Sequence, residues 1–110
     1  MHDTGHILQR LFVTIEGRRG ADPEASYVAS LFAGGLPRVL GKVEEEAAEV
    51  LEAAQENDRR HLIHESADLL FHLMVLWAST GITPQDVLGE LQRREGTSGH
   101  TEKAGRTTSS

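Results

Sequence analysis

Apolar residues recur three and four positions apart along most of this chain, and nowhere do valine and isoleucine alternate with polar neighbours over a strand's length. The pattern predicts helices alone. Asp3 or Thr4 can cap the first, in which Ile7, Leu8, Leu11, Phe12 and Ile15 form one apolar stripe. Gly17 and Gly20 frame Arg18-Arg19 and end it. Ala21-Asp22-Pro23-Glu24 is a loop, because proline biases the residue before it away from helix. Ser26 caps a short helix, Tyr27 to Ala33, which Gly34-Gly35 stop. Pro37 suits the first turn of the next helix, which runs to about Glu56 with Val39, Val43, Ala47, Val50 and Ala54 as its buried stripe.

Asn57-Asp58 makes a turn, with Asp58 capping a helix that ends at Gly81. From Leu69 to Ala78 nearly every residue outside one polar stripe is apolar, as expected of a helix buried between others. Thr83-Pro84-Gln85-Asp86 opens a last helix: a cap, a proline at the first position and an acid at the third. Val87, Leu88 and Leu91 are its expected apolar contacts. From Gly96 to Ser110 no residue is both apolar and larger than Ala104, so residues 96–110 are expected to form a disordered tail. The expectation is an all-α bundle of four to five helices in one domain, residues 1–95.

A chain of 110 residues builds only a small core, and small helical chains often complete theirs by oligomerising. The net charge of -6 argues against nucleic-acid binding through a basic surface, but it leaves room for a polyphosphate whose repulsion a metal masks. Without cysteine there is neither a disulfide framework nor a thiolate metal site. No apolar run is long enough to span a bilayer, and the N-terminus lacks a signal peptide's basic-then-apolar order. A soluble, cytoplasmic protein with no membrane partner is the expectation.

The candidate chemistry lies in two acidic pairs. Glu46 and Glu49 are three apart, so they share a helical face, and sixteen positions after Glu49 the spacing returns as Glu65 and Asp68. Alone, a run such as Glu44 to Glu49 is most often a solvated helix face. The second pair differs, because it precedes the buried run, and carboxylates beside a buried face need a partner. A hard divalent cation fits: Mg²⁺ takes oxygen ligands from carboxylates and substrate phosphates, and Mn²⁺ suits the same donors, whereas zinc prefers nitrogen and sulfur. On a helical wheel Lys42, Glu46 and Glu49 flank the apolar stripe while Glu45 and Glu52 point outward. His61, Glu65, Asp68 and His72 share one face of the following helix. His72 reads as a core histidine or as a support for the acids, and His61 and His64 as surface residues. Lys42 is either an i,i+4 partner of Glu46 or a phosphate contact. Arg18 and Arg19 are either solvated or gathered at the same mouth. A zincin site fails because the fourth residue after His64 is Asp68. A di-iron bundle fails because no Glu is followed by His three residues later, and Gly34-Gly35 lacks the ending of a phosphate loop.

Glu45-Glu46-x-x-Glu49 followed by Glu65-x-x-Asp68 resembles the signature of the all-α, MazG-like nucleoside-triphosphate pyrophosphatases. Within them the chain is most similar to the phosphoribosyl-ATP pyrophosphatase family of histidine biosynthesis. The similarity runs from Ile7 to Arg94, through Ser26-Tyr27-Val28-Ala29-Ser30-Leu31, Lys42-Val43, Glu65 to Leu73, Ile82 to Val87 and Leu91 to Arg94. One departure is Glu44, where the family often has glycine. The fused cyclohydrolase domain of some relatives is absent. The resemblance implies that Glu46, Glu49, Glu65 and Asp68 hold Mg²⁺, and that Glu45 binds a second metal or orients the attacking water. It implies that Lys42, Arg18 and Arg19 contact phosphates, that Ser26, Tyr27 and His72 contact the nucleotide substrate, and that a homodimer or a dimer of dimers builds the bundle. The implied reaction is hydrolysis of phosphoribosyl-ATP to phosphoribosyl-AMP and pyrophosphate. Two rivals stay open: a house-cleaning pyrophosphatase acting on another nucleotide, and a non-catalytic helical dimerisation module.

Overall fold

The computed structural model describes residues 4–96. Five helices follow one another: α1 (Ile7–Gly17), α2 (Tyr27–Ala33), α3 (Gly35–Gln55), α4 (Arg59–Thr80) and α5 (Pro84–Arg94). No strand occurs among the described residues, and none of their helices is long and apolar enough to cross a membrane.

Side chains marked in the sequence make three of the helix starts. Ser26 Oγ accepts from the Ala29 amide at 3.1 Å, and Asp58 Oδ1 from the His61 amide at 3.1 Å. At α5, Thr83 Oγ1 accepts from the Asp86 amide at 3.2 Å while Asp86 Oδ2 accepts from the Thr83 amide at 2.9 Å, a reciprocal capping box. Gly81 ends α4 with φ +78°, a left-handed conformation that a residue with a Cβ rarely adopts. The start of α1 departs from expectation. The helix begins at Ile7 after His6, whose side chain makes no capping bond, and Thr4 lies before it; Asp3 lies outside the described residues. Among the described residues none before Leu8 packs against the core, so the first turn lacks tertiary support there for an earlier start.

α3 and α4 form an antiparallel hairpin and the largest helix–helix contact in the chain. α2 packs against both, α1 lies on α4, and α5 packs on α1. The core gathers at one end of the hairpin: Ile15 from α1, Leu31 from α2, Val39 from α3, and Met74, Val75 and Ala78 from α4. Leu8, Leu11, Phe12, Val28, Phe32, Phe71, Leu76 and Trp77 pack around them. At the other end the hairpin stands alone, and Leu51 and Ile63 are exposed there.

Two expectations are corrected. Toward α4, α3 buries Val39, Glu46 and Ala53; Val43, Ala47 and Val50 are only half-buried and Ala54 is exposed. The helix has apolar residues over a wide arc, and close approach to α4 near the turn between them favours small Ala53 in the contact. In α5, Val87 is half-buried, but Leu88 and Leu91 are exposed, because that short helix meets the rest of the chain along one narrow edge. The tail beyond Gly96 lies outside the described residues.

Candidate active site

Where the α3–α4 hairpin leaves the core, its inward faces change from apolar to acidic. Glu46 from α3 and Glu65 from α4 are the two buried carboxylates, 6% and 7% exposed, and His72 is buried one helical stretch further along. Glu49 and Asp68 are half-buried beside them. Glu45, Glu46 and Glu49 offer oxygens within 4.8 Å of one another, and so do ligand atoms of His64, Glu65 and Asp68. The two groups meet across the helices through the carboxyls of Glu49 and Glu65, which lie within hydrogen-bonding reach.

The acids perturb one another as closely packed carboxylates must. Burial, then the charge of Glu49, pushes Glu46 upward. Glu65 is also pushed up, first by its bond to Glu49 and then by burial, whereas Glu49 is held down chiefly by that same bond. Glu46 Oε2 and Glu65 Oε2 are buried and face no donor. Two inward, unpartnered carboxylate oxygens on facing helices are the donor set a hard divalent cation requires, and no apolar or neutral neighbour satisfies them. The residues present fit Mg²⁺ or Mn²⁺.

Basic side chains sit one turn before these acids. Lys42 Nζ lies 3.3 Å from Glu45 Oε2 and 3.8 Å from Glu46 Oε1. Burial draws its ammonium downward, but the bond to Glu45 and the charges around it raise it on balance, so it stays charged. His61 reaches Glu56 Oε1 through Nδ1 at 3.1 Å and Glu65 Oε1 through Nε2 at 3.4 Å, and His64 Nε2 lies 3.3 Å from Asp68 Oδ2. The bond to Glu56 pushes His61 up. The sequence places His61 on the acids' face but reads both histidines as surface residues; each stands four residues before an acid of the second pair, the spacing at which helical side chains meet.

Tyr27 and His72 come together from α2 and α4. The Asp68 carbonyl lies 2.7 Å from His72 Nδ1 and can only accept, so that nitrogen carries the proton; in the neutral ring Nε2 then accepts from the Tyr27 hydroxyl at 2.7 Å. Ser26, next to Tyr27, has its oxygen engaged as the α2 cap. The arginines lie elsewhere. Arg19 donates to the Ala78 carbonyl near the end of α4, with its guanidinium 4.8 Å over the Phe32 ring. Ala78 is ten residues from Asp68, about 15 Å along a helix axis, so Arg19 acts here as a clamp between α1, α2 and α4. Arg18 is exposed at the end of α1. Glu44, the departure from the resemblance, is exposed.

The sequence profile of the phosphoribosyl-ATP pyrophosphohydrolase family matches residues 8–95, which take in all five helices but for Ile7 and all the acids just described. The chain belongs to the phosphoribosyl-ATP pyrophosphohydrolase family. A phosphoribosyl-ATP pyrophosphatase of Rhizorhabdus wittichii is 58% identical over 99 residues, covering 90% of this chain and 93% of its own. One from Methylibium petroleiphilum is 56% identical over 97 residues, 88% of this chain and 81% of its own. One from Geobacter sulfurreducens is 50% identical over 106 residues, 96% and 98% of the two chains.

Proposed function

We propose that this chain hydrolyses phosphoribosyl-ATP to phosphoribosyl-AMP and pyrophosphate in the cytoplasm, as a step of histidine biosynthesis. The observation that carries the reading is the pair of buried, donorless oxygens, Glu46 Oε2 and Glu65 Oε2, on the neighbouring helices α3 and α4. Glu46, Glu49, Glu65 and Asp68 are the residues that hold Mg²⁺ in this reading, with Mn²⁺ an alternative occupant. Bound there, the ion supplies charge neutralisation at the phosphoryl oxygens and a more acidic water.

The remaining work falls to side chains. Lys42, held at the rim by Glu45, offers its ammonium to the oxygens of the α–β phosphoanhydride. Glu45 is exposed and can swing from Lys42 to orient or deprotonate the attacking water. Tyr27, tethered by His72 and about half exposed, carries the substrate contact next to the acids. Phosphoryl transfer depends on positioning and charge stabilisation more than on covalent chemistry, and no activated nucleophile is required. Arg18 and Arg19 are left outside this proposal, because Arg19 is engaged at the far end of α4.

A second copy of the chain completes the bundle in this reading. Leu40 and Leu51 on α3 and Ile63 and Leu70 on α4 are exposed apolar residues along the hairpin that carries the acids. A small domain buries such residues by pairing with itself. Light scattering at micromolar concentration should give at least twice the chain mass; a monomer would refute the pairing.

The deciding assay offers purified chain and Mg²⁺ with phosphoribosyl-ATP beside a panel of deoxynucleoside triphosphates, and follows pyrophosphate release. Turnover of phosphoribosyl-ATP above the panel, lost in Glu49→Gln with the helical spectrum intact, is expected. Preference for a panel nucleotide would move the chain to the house-cleaning class, and no turnover with no cation binding would leave a dimerisation module.

A further inference from the structure

The two buried acids are built alike. In Glu46, Oε1 faces Lys42 Nζ at 3.8 Å while Oε2 has no donor; in Glu65, Oε1 faces His61 Nε2 at 3.4 Å while Oε2 has none. In both, a basic side chain one helical turn earlier engages the outer oxygen and leaves the inner one free. A glutamate carboxylate otherwise turns easily about its last torsion, which has no sharply staggered wells. His61 is itself anchored: its other nitrogen lies 3.1 Å from Glu56 Oε1, and Glu56 is the residue that closes α3. The imidazole thus ties the end of α3 to an acid on α4 across the short connection at Asn57 and Asp58.

We propose that His61 is a positioning residue, which fixes the Glu65 carboxylate so that Oε2 points at the divalent cation. The proposal rests on the reading of these acids as the cation site. It also separates His61 from His64, whose contact joins an exposed imidazole to the half-buried Asp68 rather than to a buried acid, and so restrains less. A support of this kind orients a ligand without touching the ion, and its removal typically weakens metal binding by about 10–100-fold.

The test uses the full chain and Mn²⁺ alone, titrated by calorimetry and by the electron paramagnetic signal of the free ion. His61→Ala should weaken Mn²⁺ binding by about 10–100-fold, while kcat at saturating metal stays at the parent value. The side-chain amide of Gln reaches the place of Nε2 and that of Asn the place of Nδ1. His61→Gln should therefore restore most of the affinity, and His61→Asn should not. His61 is partly exposed, so these variants should keep the parent's helical spectrum and unfolding midpoint. A parent that binds Mn²⁺ and a His61→Ala chain that binds it equally would overturn the role of His61 alone, as would equal rescue by Asn and Gln. A parent that does not bind Mn²⁺ would overturn the cation site, and this role with it.

Discussion

Glu46→Gln separates what the site does for stability from what it does for cation binding. Glu46 is almost completely buried, its Oε2 meets no donor, and its outer oxygen faces Lys42 at 3.8 Å. An unsatisfied buried polar group costs about 1–3 kcal/mol, more if charged. Glutamine keeps the shape, removes the charge, and brings an amide that can donate to neighbouring Glu49. Without metal, the variant should therefore gain about 1 kcal/mol, which for a domain of this size raises the unfolding midpoint by about 4–8 °C. With metal the order reverses. At a Mn²⁺ concentration of 100 times Kd the parent gains about 2.7 kcal/mol by linkage, and on the same scale its midpoint climbs by about 11–22 °C. The variant should lose most of that rise, because it has one anionic ligand fewer at the centre of the set. Thermal unfolding followed by circular dichroism at 222 nm, in chelator and then across a Mn²⁺ series, reads both effects. A Glu46→Gln chain that melts below the parent in chelator, or that keeps the parent's full metal-induced rise, would refute the reasoning.

Cation binding should release protons and weaken on acidification. Glu46 and Glu65 titrate above the usual carboxylate value, so in the folded, metal-free chain these two groups bind more protons than in the unfolded one from pH 4.5 up to those raised values. The stability tied to these two groups is therefore fully present below pH 4.5 and lost as pH rises through the raised values. Calorimetry of Mn²⁺ binding in two buffers of different ionisation enthalpy should report net proton release; identical heats in both would count against it. Leu31→Ala removes a fully buried side chain at the centre of the core and should destabilise by about 2–5 kcal/mol in urea unfolding. A loss well under 1 kcal/mol would mean that the cavity collapses. Thr83→Ala breaks the reciprocal cap of α5 and should cost about 1 kcal/mol, with turnover unchanged because α5 carries none of the acids. A loss of activity instead would tie α5 to the site.

Much of this protein is decided by interactions that span only a few residues, and those are readable along the chain. Ser26, Asp58 and the Thr83–Asp86 pair cap helices through bonds three residues long, and Gly81 ends α4 through its own backbone freedom. The acid pairs are local too, since three-residue spacing puts Glu46 with Glu49, and Glu65 with Asp68, whatever surrounds the helix. Tertiary packing alone decided the rest. The bond between Tyr27 and His72 joins residues 45 apart, and the Arg19 clamp on Ala78 joins residues 59 apart; no periodicity encodes either. The same holds for the seam of α3. Its apolar arc is wider than its contact with α4, so Ala53 and Glu46 were buried only once the two helices had docked. Helical spacing dictates which side chains share a face; only docking dictates which face meets a partner, and here that choice buried Glu46 and Glu65.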